Sequence, residues 1–176
     1  MSFFAPEDQI LGLTLWRPWT DAILRLPDAV AKRVENRDWT PNPLGAWDCG
    51  EATLKGSALW LALHAGLTLD KPALAWLFEK YLAPLSLSRE LLPAGHIVGV
   101  ARVSSVIDTQ RLSPHSSLRK THAPWLKGRF GWVLSDVHRL PEPVPCTGQV
   151  KLWSLPPSVK GRVLAQLPRS LKEKSA

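Results

Sequence analysis

The spacing of apolar residues changes twice near the start of the chain, and each change predicts a new element. Residues 13–16, Leu-Thr-Leu-Trp, have strand composition, and Pro18 prevents a helix from extending back across them. Apolar residues at 22–26 then recur at helical spacing until Pro27 ends the helix. Residues 30–39 return to a strand-like pattern, so we expect strand, helix and strand in that order.

The second of these strands carries an unusual density of charge. Because side chains alternate along a strand, one face is predicted to hold Arg33, Glu35, Arg37 and Trp39, and the other Lys32, Val34, Asn36 and Asp38. A glutamate between two arginines is either a surface ladder of ion pairs or the floor of a charged pocket. A common site for Lys32 and Glu35 requires Lys32 to lie in the turn before the regular strand.

Further along the chain, strands and short helices are predicted in mixed order. The strands are expected at residues 59–63, 97–107, 130–137 and 144–153, and the helices at 71–82 and 159–167. Asp70 is well placed to cap the first of these helices. The total is about six strands and three helices, which predicts an α+β fold.

The connections differ in character. Residues 40–57 have the Pro, Gly and Asn content of a loop, and we interpret them as an insertion that serves as a lid or as surface decoration. Residues 108–129 mix basic side chains with Trp125, which suits a phosphate-contacting loop or a solvated loop with one anchoring tryptophan. Three prolines between 141 and 145 are expected to stiffen the link between the last two strands.

Two positions predict close approach of other groups. His64 ends the apolar run 59–63 and is either a hydrogen-bonded structural residue or a functional one, with small neighbours that let a ligand come near. Gly99 and Ala101 share a strand face and leave room for a bulky side chain, for which Trp19 and Trp132 are the candidates.

Composition narrows the functional classes. The 176 residues fit one domain, and their formal charge of +7 favours an anionic partner such as nucleic acid. Nine tryptophans predict a well-filled small barrel or a base-stacking surface. The basic segment near the C-terminus suits phosphate contact or solubility.

Other features of the sequence argue against particular kinds of site. Cys49 and Cys146 lie far apart without a Cys-x-x-Cys pair, so free thiols are expected rather than a disulfide or a zinc site. No leader-like or membrane-spanning run is present, and a cytoplasmic protein without membrane contact is the simplest expectation. No glycine-rich phosphate loop, metal-ligand cluster or serine-histidine triad is seen, so neither a metal nor another cofactor is expected.

Several segments together resemble a known family. Pro18-Trp19 opens a helix, Lys32 begins the pattern Lys-x-x-Glu-x-Arg-x-Trp, and a strand ends in His-Ala-Gly at 64–66. The segments 95–101 (GHIVGVA), 130–134 (FGWVL), and Gly148 followed by Leu152-Trp153 continue the likeness. In their order and spacing these pieces resemble the ASCH domain (the activating-signal-cointegrator homology domain) of the PUA-like superfamily, over roughly residues 10–160.

The resemblance implies a fold and a division of the chain. It implies a small PUA-like β-barrel of about six strands with flanking helices, spanning residues 10–167. Residues 1–9 would then be an N-terminal extension, and residues 168–176 a basic C-terminal tail.

The resemblance also implies a site, which leaves two functions open. PUA-like domains take a nucleotide or base into a cleft beside the first helix, and the corresponding residues here, together with two from the basic loop, are Arg17, Trp19, Lys32, Glu35, Arg37, His64, Lys127 and Arg129. Some small ASCH proteins instead hydrolyse N4-acetylcytidine with a lysine followed three residues later by threonine. Lys32 matches that lysine but Glu35 replaces the threonine, so an amidohydrolase would use Lys32 and Glu35 in other roles. Lys32, Glu35 and Arg37 could also be a purely structural network.

Overall fold

The computed structural model describes residues 10–41, 44–54, 59–82, 90–168 and 171. These residues form β1 (Ile10–Arg17), α1 (Trp19–Leu24), β2 (Val34–Arg37), β3 (Leu44–Asp48), β4 (Glu51–Leu54), β5 (Leu59–Leu69), α2 (Lys71–Leu77), β6 (His96–Asp108), α3 (Ser117–Thr121), β7 (Phe130–Pro145), β8 (Leu152–Ser154) and α4 (Pro157–Ala165). A π-helical turn, Phe78–Leu82, continues α2. The predicted extension 1–9 and nearly all of the tail 168–176 lie outside the described residues.

The strands form one mixed sheet, which confirms the predicted α+β class. Its order is β2-β7-β6-β5-β1-β8, and β4 pairs with the far end of β6 and carries β3 on its other edge. Only β1 and β5 run parallel, whereas the other paired strands are antiparallel. Eight strands and four α-helices occur in the described residues, more than the six and three expected. Within those residues the terminal strands β2 and β8 are not paired with each other.

β6 is the axis of the sheet because it pairs with three strands. Its residues 96–103 pair with β5, residues 105–107 pair with β4, and its whole length pairs with β7. The sequence explains this position, since a strand flanked on both sides and covered on both faces reads as a nearly continuous apolar run. Three register shifts against β7 bend the pair, as bulges do.

The two faces of β1 enter two different cores. Leu13 and Leu15 are buried against residues of β5 and β6 and against Trp132 of β7. The alternate residue Gly12 lies so close to Trp153 that a Cβ there would be 2.3 Å from the indole. β1 therefore separates two packed regions, and side chains at successive positions reach opposite sides of the sheet.

Two predicted connections turn out to be strands. Residues 40–57, expected to be a loop, contain the β3–β4 hairpin with Cys49 and Gly50 at its turn, both at positive φ. β4 is a strand because it pairs with β6, although the Pro and Gly content of residues 40–57 predicted a loop. The prolines at 141–145 do not separate two strands either, since they lie inside the single strand β7.

Three boundaries also differ from prediction. His64 does not end its strand, because β5 continues to Leu69 through pairing with β1 and β6. The charged strand predicted at 30–39 is only Val34–Arg37. The last strand, predicted at 144–153, is reduced to Leu152–Ser154. By contrast, Asp70 caps α2 as predicted, since its carboxylate accepts a hydrogen bond from the Ala73 amide at 3.0 Å.

The recess beside Gly99 is filled by Leu24 and not by a tryptophan. A Cβ at Gly99 would lie 2.5 Å from Leu24 Cδ2 and 2.8 Å from the His138 carbonyl oxygen. Leu24 is the last residue of α1, so this contact presses the first helix onto the sheet. The position of α1 therefore depends on the missing side chain at Gly99.

None of the helices in the described residues is long and apolar enough to cross a bilayer.

Gly99→Ala should lower the free energy of unfolding by about 1–3 kcal/mol, because the new methyl group overpacks the contact with α1. Gly161→Ala is the matched control, since nothing lies within 4 Å of its Cβ position on α4. Alanine there should stabilise the helix by about 0.5–1 kcal/mol. Urea unfolding of both variants measures the difference, and equal stability of Gly99→Ala and the parent would contradict the packing argument.

Candidate ligand-binding cleft

Lys32 is placed by a tight turn between α1 and β2. The amides of Val30 and Ala31 both donate to the Pro27 carbonyl, and the Lys32 amide donates to the Ala22 carbonyl at 2.9 Å. The turn therefore joins the end of α1 to the start of β2. Lys32 precedes the regular strand, as a common site with Glu35 requires, so ideal alternation does not direct it to the opposite face.

Glu35 forms ion pairs with two cations. One carboxylate oxygen pairs with the Lys32 ammonium, and the other lies 3.2 Å from Nη2 of Arg37. Lys32 and Glu35 are 3% and 7% exposed, whereas the Arg37 side chain is 23% exposed. The group carries two positive charges and one negative, so its net charge is positive.

Burial changes the chemistry of Lys32. Loss of solvent lowers its pKa below the usual 10.5, and the neighbouring Glu35 carboxylate opposes this shift only in part. Arg37 adds to the lowering by repulsion. The ammonium also lies 5.9 Å from the ring centre of Trp19, within reach of a cation–π interaction. The charged form of Lys32 is therefore less stable than that of an exposed lysine.

Aromatic rings form the walls above this charged group. Trp76 of α2 meets Trp125 edge to face with ring centres 5.4 Å apart, and Tyr81 stacks on Trp125 at 5.5 Å. Trp19, at the start of α1, packs against the same cluster. Trp125 is almost completely buried and fixes the wall, while Trp76 is only partly covered.

Asn36 holds the loop that carries Trp125. Its side-chain amide donates to the Trp125 carbonyl at 2.7 Å, and its oxygen accepts from the amides of Lys127 and Gly128. Gly128 is required there, because a Cβ would lie 2.7 Å from that of Asn36. The loop at 125–128 is thus tied to β2 beside Glu35.

These elements enclose a cleft of about 580 Å³. Its lining is Trp19, Lys32, Glu35, Asn36, Asp70, Pro72, Ala73, Trp76, Pro124, Trp125, Lys127 and Gly128. The volume lies within the range of small-molecule sites, which are mostly apolar with a few convergent polar groups. The Lys127 ammonium stands over Trp76 at 5.2 Å from the ring centre.

Four of the eight residues predicted to bind a ligand line this cleft: Trp19, Lys32, Glu35 and Lys127. Arg37 stands directly behind Glu35 and does not line it. The structure places the other three elsewhere. Arg17 donates to the Leu67 carbonyl, His64 lies in a second cavity, and Arg129 pairs with Asp108 at 3.1 Å.

Arg129 forms a structural ion pair with Asp108. Asp108 ends β6 and accepts hydrogen bonds from both Nε and Nη2 of Arg129, and from the Gln110 amide. Burial tends to raise the pKa of Asp108, but these donors outweigh it and lower the pKa overall. Arg129 also stacks on Phe130 at 4.7 Å. It is therefore engaged in closing the 108–129 connection.

Sequence reasoning missed Trp76, which forms a wall of the cleft. The helix at 71–82 was predicted with its Asp70 cap, but no role was given to Trp76. The available signal was the spacing of Ala73 and Trp76, which puts both on one helical face beside the Asp70 cap. Asn36 was assigned to a strand face but given no role.

The cleft contains no obvious metal-ligand set. Across the described residues, no three His, Cys, Asp or Glu side chains come together in an arrangement that could hold a metal ion. The chain was also compared with known proteins. No protein-family model matches it, and no curated protein matches it significantly.

Lys32→Met should destabilise the fold, because it leaves Glu35 buried without its main partner. We expect a loss of about 3 kcal/mol in the free energy of unfolding, at the low end for a broken buried pair since Arg37 still contacts Glu35. The double variant Lys32→Met/Glu35→Leu should recover much of this loss. Denaturation of both variants is the measurement, and a single variant as stable as the parent would show that the pair is not effectively buried.

Proposed function

We propose that this chain binds single-stranded nucleic acid by taking one base into the cleft. The observation that carries the proposal is a pocket with tryptophan walls above a net positive Lys32–Glu35–Arg37 group, in which Lys32 and Glu35 are buried and Arg37 partly so. Indole faces stack on any base, at about 1–3 kcal/mol per base. The formal charge of +7 supports an anionic partner.

Each part of the cleft suits one part of a nucleotide. Trp76 and Trp19 offer apolar ring surface for the base, and the Glu35 carboxylate accepts hydrogen bonds of the kind an exocyclic amine donates. Lys127 is exposed at the rim, and its cation–π contact with Trp76 is worth only about 0.5–1 kcal/mol at such a site. It can exchange that contact for a phosphate when a base takes its place over the ring.

The resemblance to the ASCH domain supports the same proposal. The cleft lies beside the first helix, where PUA-like domains take a nucleotide, and it contains Trp19, Lys32 and Glu35 of the resembling segments. We propose on these grounds that the sheet is a PUA-like barrel and that the chain is an ASCH module.

Trp76→Ala should weaken binding of a short single strand by about 1–3 kcal/mol, because one stacking surface is lost. The matched control is Trp47→Ala on the β3–β4 hairpin, whose tryptophan packs against Arg111 and does not line the cleft. Fluorescence titration of both variants tests the site. Equal losses in the two variants would mean that the cleft is not where the strand binds.

Affinity should also fall steeply with salt, because phosphate contacts release counterions. Lys127→Ala should lower the slope of log affinity against log salt by about 1, whereas Lys120→Ala on α3 should leave it unchanged. An affinity independent of salt, or no binding at low salt, would exclude nucleic acid as the ligand.

One observation favours a second function, hydrolysis of an acylated cytidine. A lysine acts as a base or nucleophile only when unprotonated, and burial lowers the pKa of Lys32. In that reaction water adds to the acyl carbon, the bond to the cytidine N4 breaks, and N4 takes up a proton. Unprotonated Lys32 would accept the proton from water and pass it to N4, and Glu35 would hold the Lys32 amine in place.

Incubation with N4-acetylcytidine, with product release followed by chromatography, tests the second function. A hydrolase should lose turnover in Lys32→Arg, which keeps the charge but cannot deprotonate. Because only unprotonated Lys32 is active in a base role, the rate of the parent should rise with pH and level off below 10.5. Absence of turnover in the parent chain, with base binding intact, would exclude this function.

A further inference from the structure

A second cavity lies on the opposite side of β1 from Leu13 and Leu15. It measures about 600 Å³ and lies between β1, β5 and the segment that follows β7. Thr14, His64, Leu67, Gly95, Cys146 and Gly148 are among its lining residues. None of its lining residues belongs to the tryptophan-walled cleft.

His64 presents an unused hydrogen-bond acceptor in this cavity. Its side chain is 2% exposed, and Nε2 lies 2.9 Å from the Cys146 carbonyl oxygen. A carbonyl oxygen only accepts, so Nε2 carries the proton and Nδ1 of the neutral ring has a free lone pair. Burial lowers the pKa of His64, which keeps the ring neutral at neutral pH. Nδ1 has no partner.

A second unpartnered atom lies next to it. Thr14 pairs with His64 in the parallel β1–β5 register, and its hydroxyl oxygen is buried without a hydrogen bond. A Cβ at Gly148 would lie 2.5 Å from His64 Nδ1 and 2.6 Å from the Thr14 hydroxyl. Gly148 therefore covers the His64 acceptor and the Thr14 hydroxyl together, and only its lack of a side chain lets its backbone come so close to both.

The two sites are connected by arginine. Nη2 of Arg37 lies 3.4 Å from the Thr14 carbonyl and 3.2 Å from the Glu35 carboxylate, so one nitrogen contacts a residue of each site. Arg17 donates to the carbonyl of Leu67 on the rim of the second cavity. The Nε–H groups of both arginines are buried without an acceptor. Guanidinium donors in this position suit a phosphate between two bound nucleosides.

Exposed apolar side chains gather near the second cavity. Four large hydrophobic residues of the described chain are exposed, and three of them are Trp16, Leu67 and Val150. Leu67 lines the cavity, while Trp16 and Val150 lie two residues from Thr14 and Gly148. The exposed indole of Trp16 offers a second surface on which a base can stack.

We propose that the second cavity receives the ribose of the nucleotide next to the base held in the cleft, and that Thr14 and His64 recognise its 2′-hydroxyl. The proposal rests on the proposed function and deepens it, because it makes the ligand single-stranded RNA rather than DNA. A 2′-hydroxyl both donates and accepts, so it matches a free His64 Nδ1 beside a threonine hydroxyl. Residues 148–150 belong to no strand or helix, and the proposal requires them to move away from Thr14 and His64 when the hydroxyl binds.

The test is titration of one short sequence as RNA, as DNA and as 2′-O-methyl RNA. The parent chain should bind RNA about four- to a hundredfold more tightly than the other two, since each of two neutral hydrogen bonds contributes about two- to tenfold. Thr14→Val, which is nearly isosteric, removes one of these bonds and should reduce the RNA preference without changing DNA affinity. Thr53→Val on the exposed face of β4 is the matched control and should keep the preference.

A second variant guards against a local change of fold. His64→Phe also removes the acceptor, and DNA binding at parental affinity shows that the variant is folded. Equal binding of RNA and DNA by the parent, or a preference that is undiminished in both variants, would overturn the proposal while DNA binding sensitive to Trp76→Ala upholds the cleft. Absence of binding by either strand would overturn the proposed function, and this inference with it.

Discussion

The floor of the cleft depends on the two ion pairs of the Glu35 carboxylate. The carboxylate pairs with Lys32 through one oxygen and with Arg37 through the other, and so joins the turn after α1 to β2. A buried carboxylate is tolerated only when it is paired, and the two cations supply that pairing here. A buried ion pair contributes little net stability, so the ligand recognition proposed above would give this pair a role that stability alone does not.

β1 lets one short strand serve both sites. The alternation of its side chains sends Leu13 and Leu15 into the core below α1 and turns Thr14 toward the second cavity. Its main chain supplies further partners, since the Arg17 carbonyl accepts from the Asp70 amide and the Thr14 carbonyl contacts Arg37. A change in the register of β1 would therefore alter both sites at once.

The sequence predicted those features that depend on local pattern. The strand, helix and strand at the start, the Asp70 cap and the α+β class follow from spacing, from a short polar side chain before a helix, and from composition. The resemblance put Lys32 and Glu35 in one site on the condition that Lys32 lies in the turn before the strand, and the structure meets that condition. These inferences need no knowledge of which strands are neighbours.

The features that failed depend on distant pairing. β4 is a strand because β6 offers it an edge, and β5 runs beyond His64 because β1 and β6 flank it. Prolines can lie within β7 because its bulged pairing with β6 leaves some positions at which no amide hydrogen bond to the neighbouring strand is needed. The separation of His64 from Lys32 follows from the same pairing, since it places the two residues in different cavities. Local pattern carries no information on any of these contacts.

The tryptophans fall into two groups, those that pack in the core and those that form the walls of the cleft. Trp39 and Trp132 meet edge to face with ring centres 4.8 Å apart, and Trp153 packs against His64, so these rings fill the core. Trp76 and Trp125 instead form cleft walls, and they hold each other in place. A ring surface that is already ordered loses little entropy when a base stacks on it, so the affinity gained per contact is larger than on a mobile side chain. Under the proposed function, the order of these rings would therefore favour the binding of a planar base in the cleft.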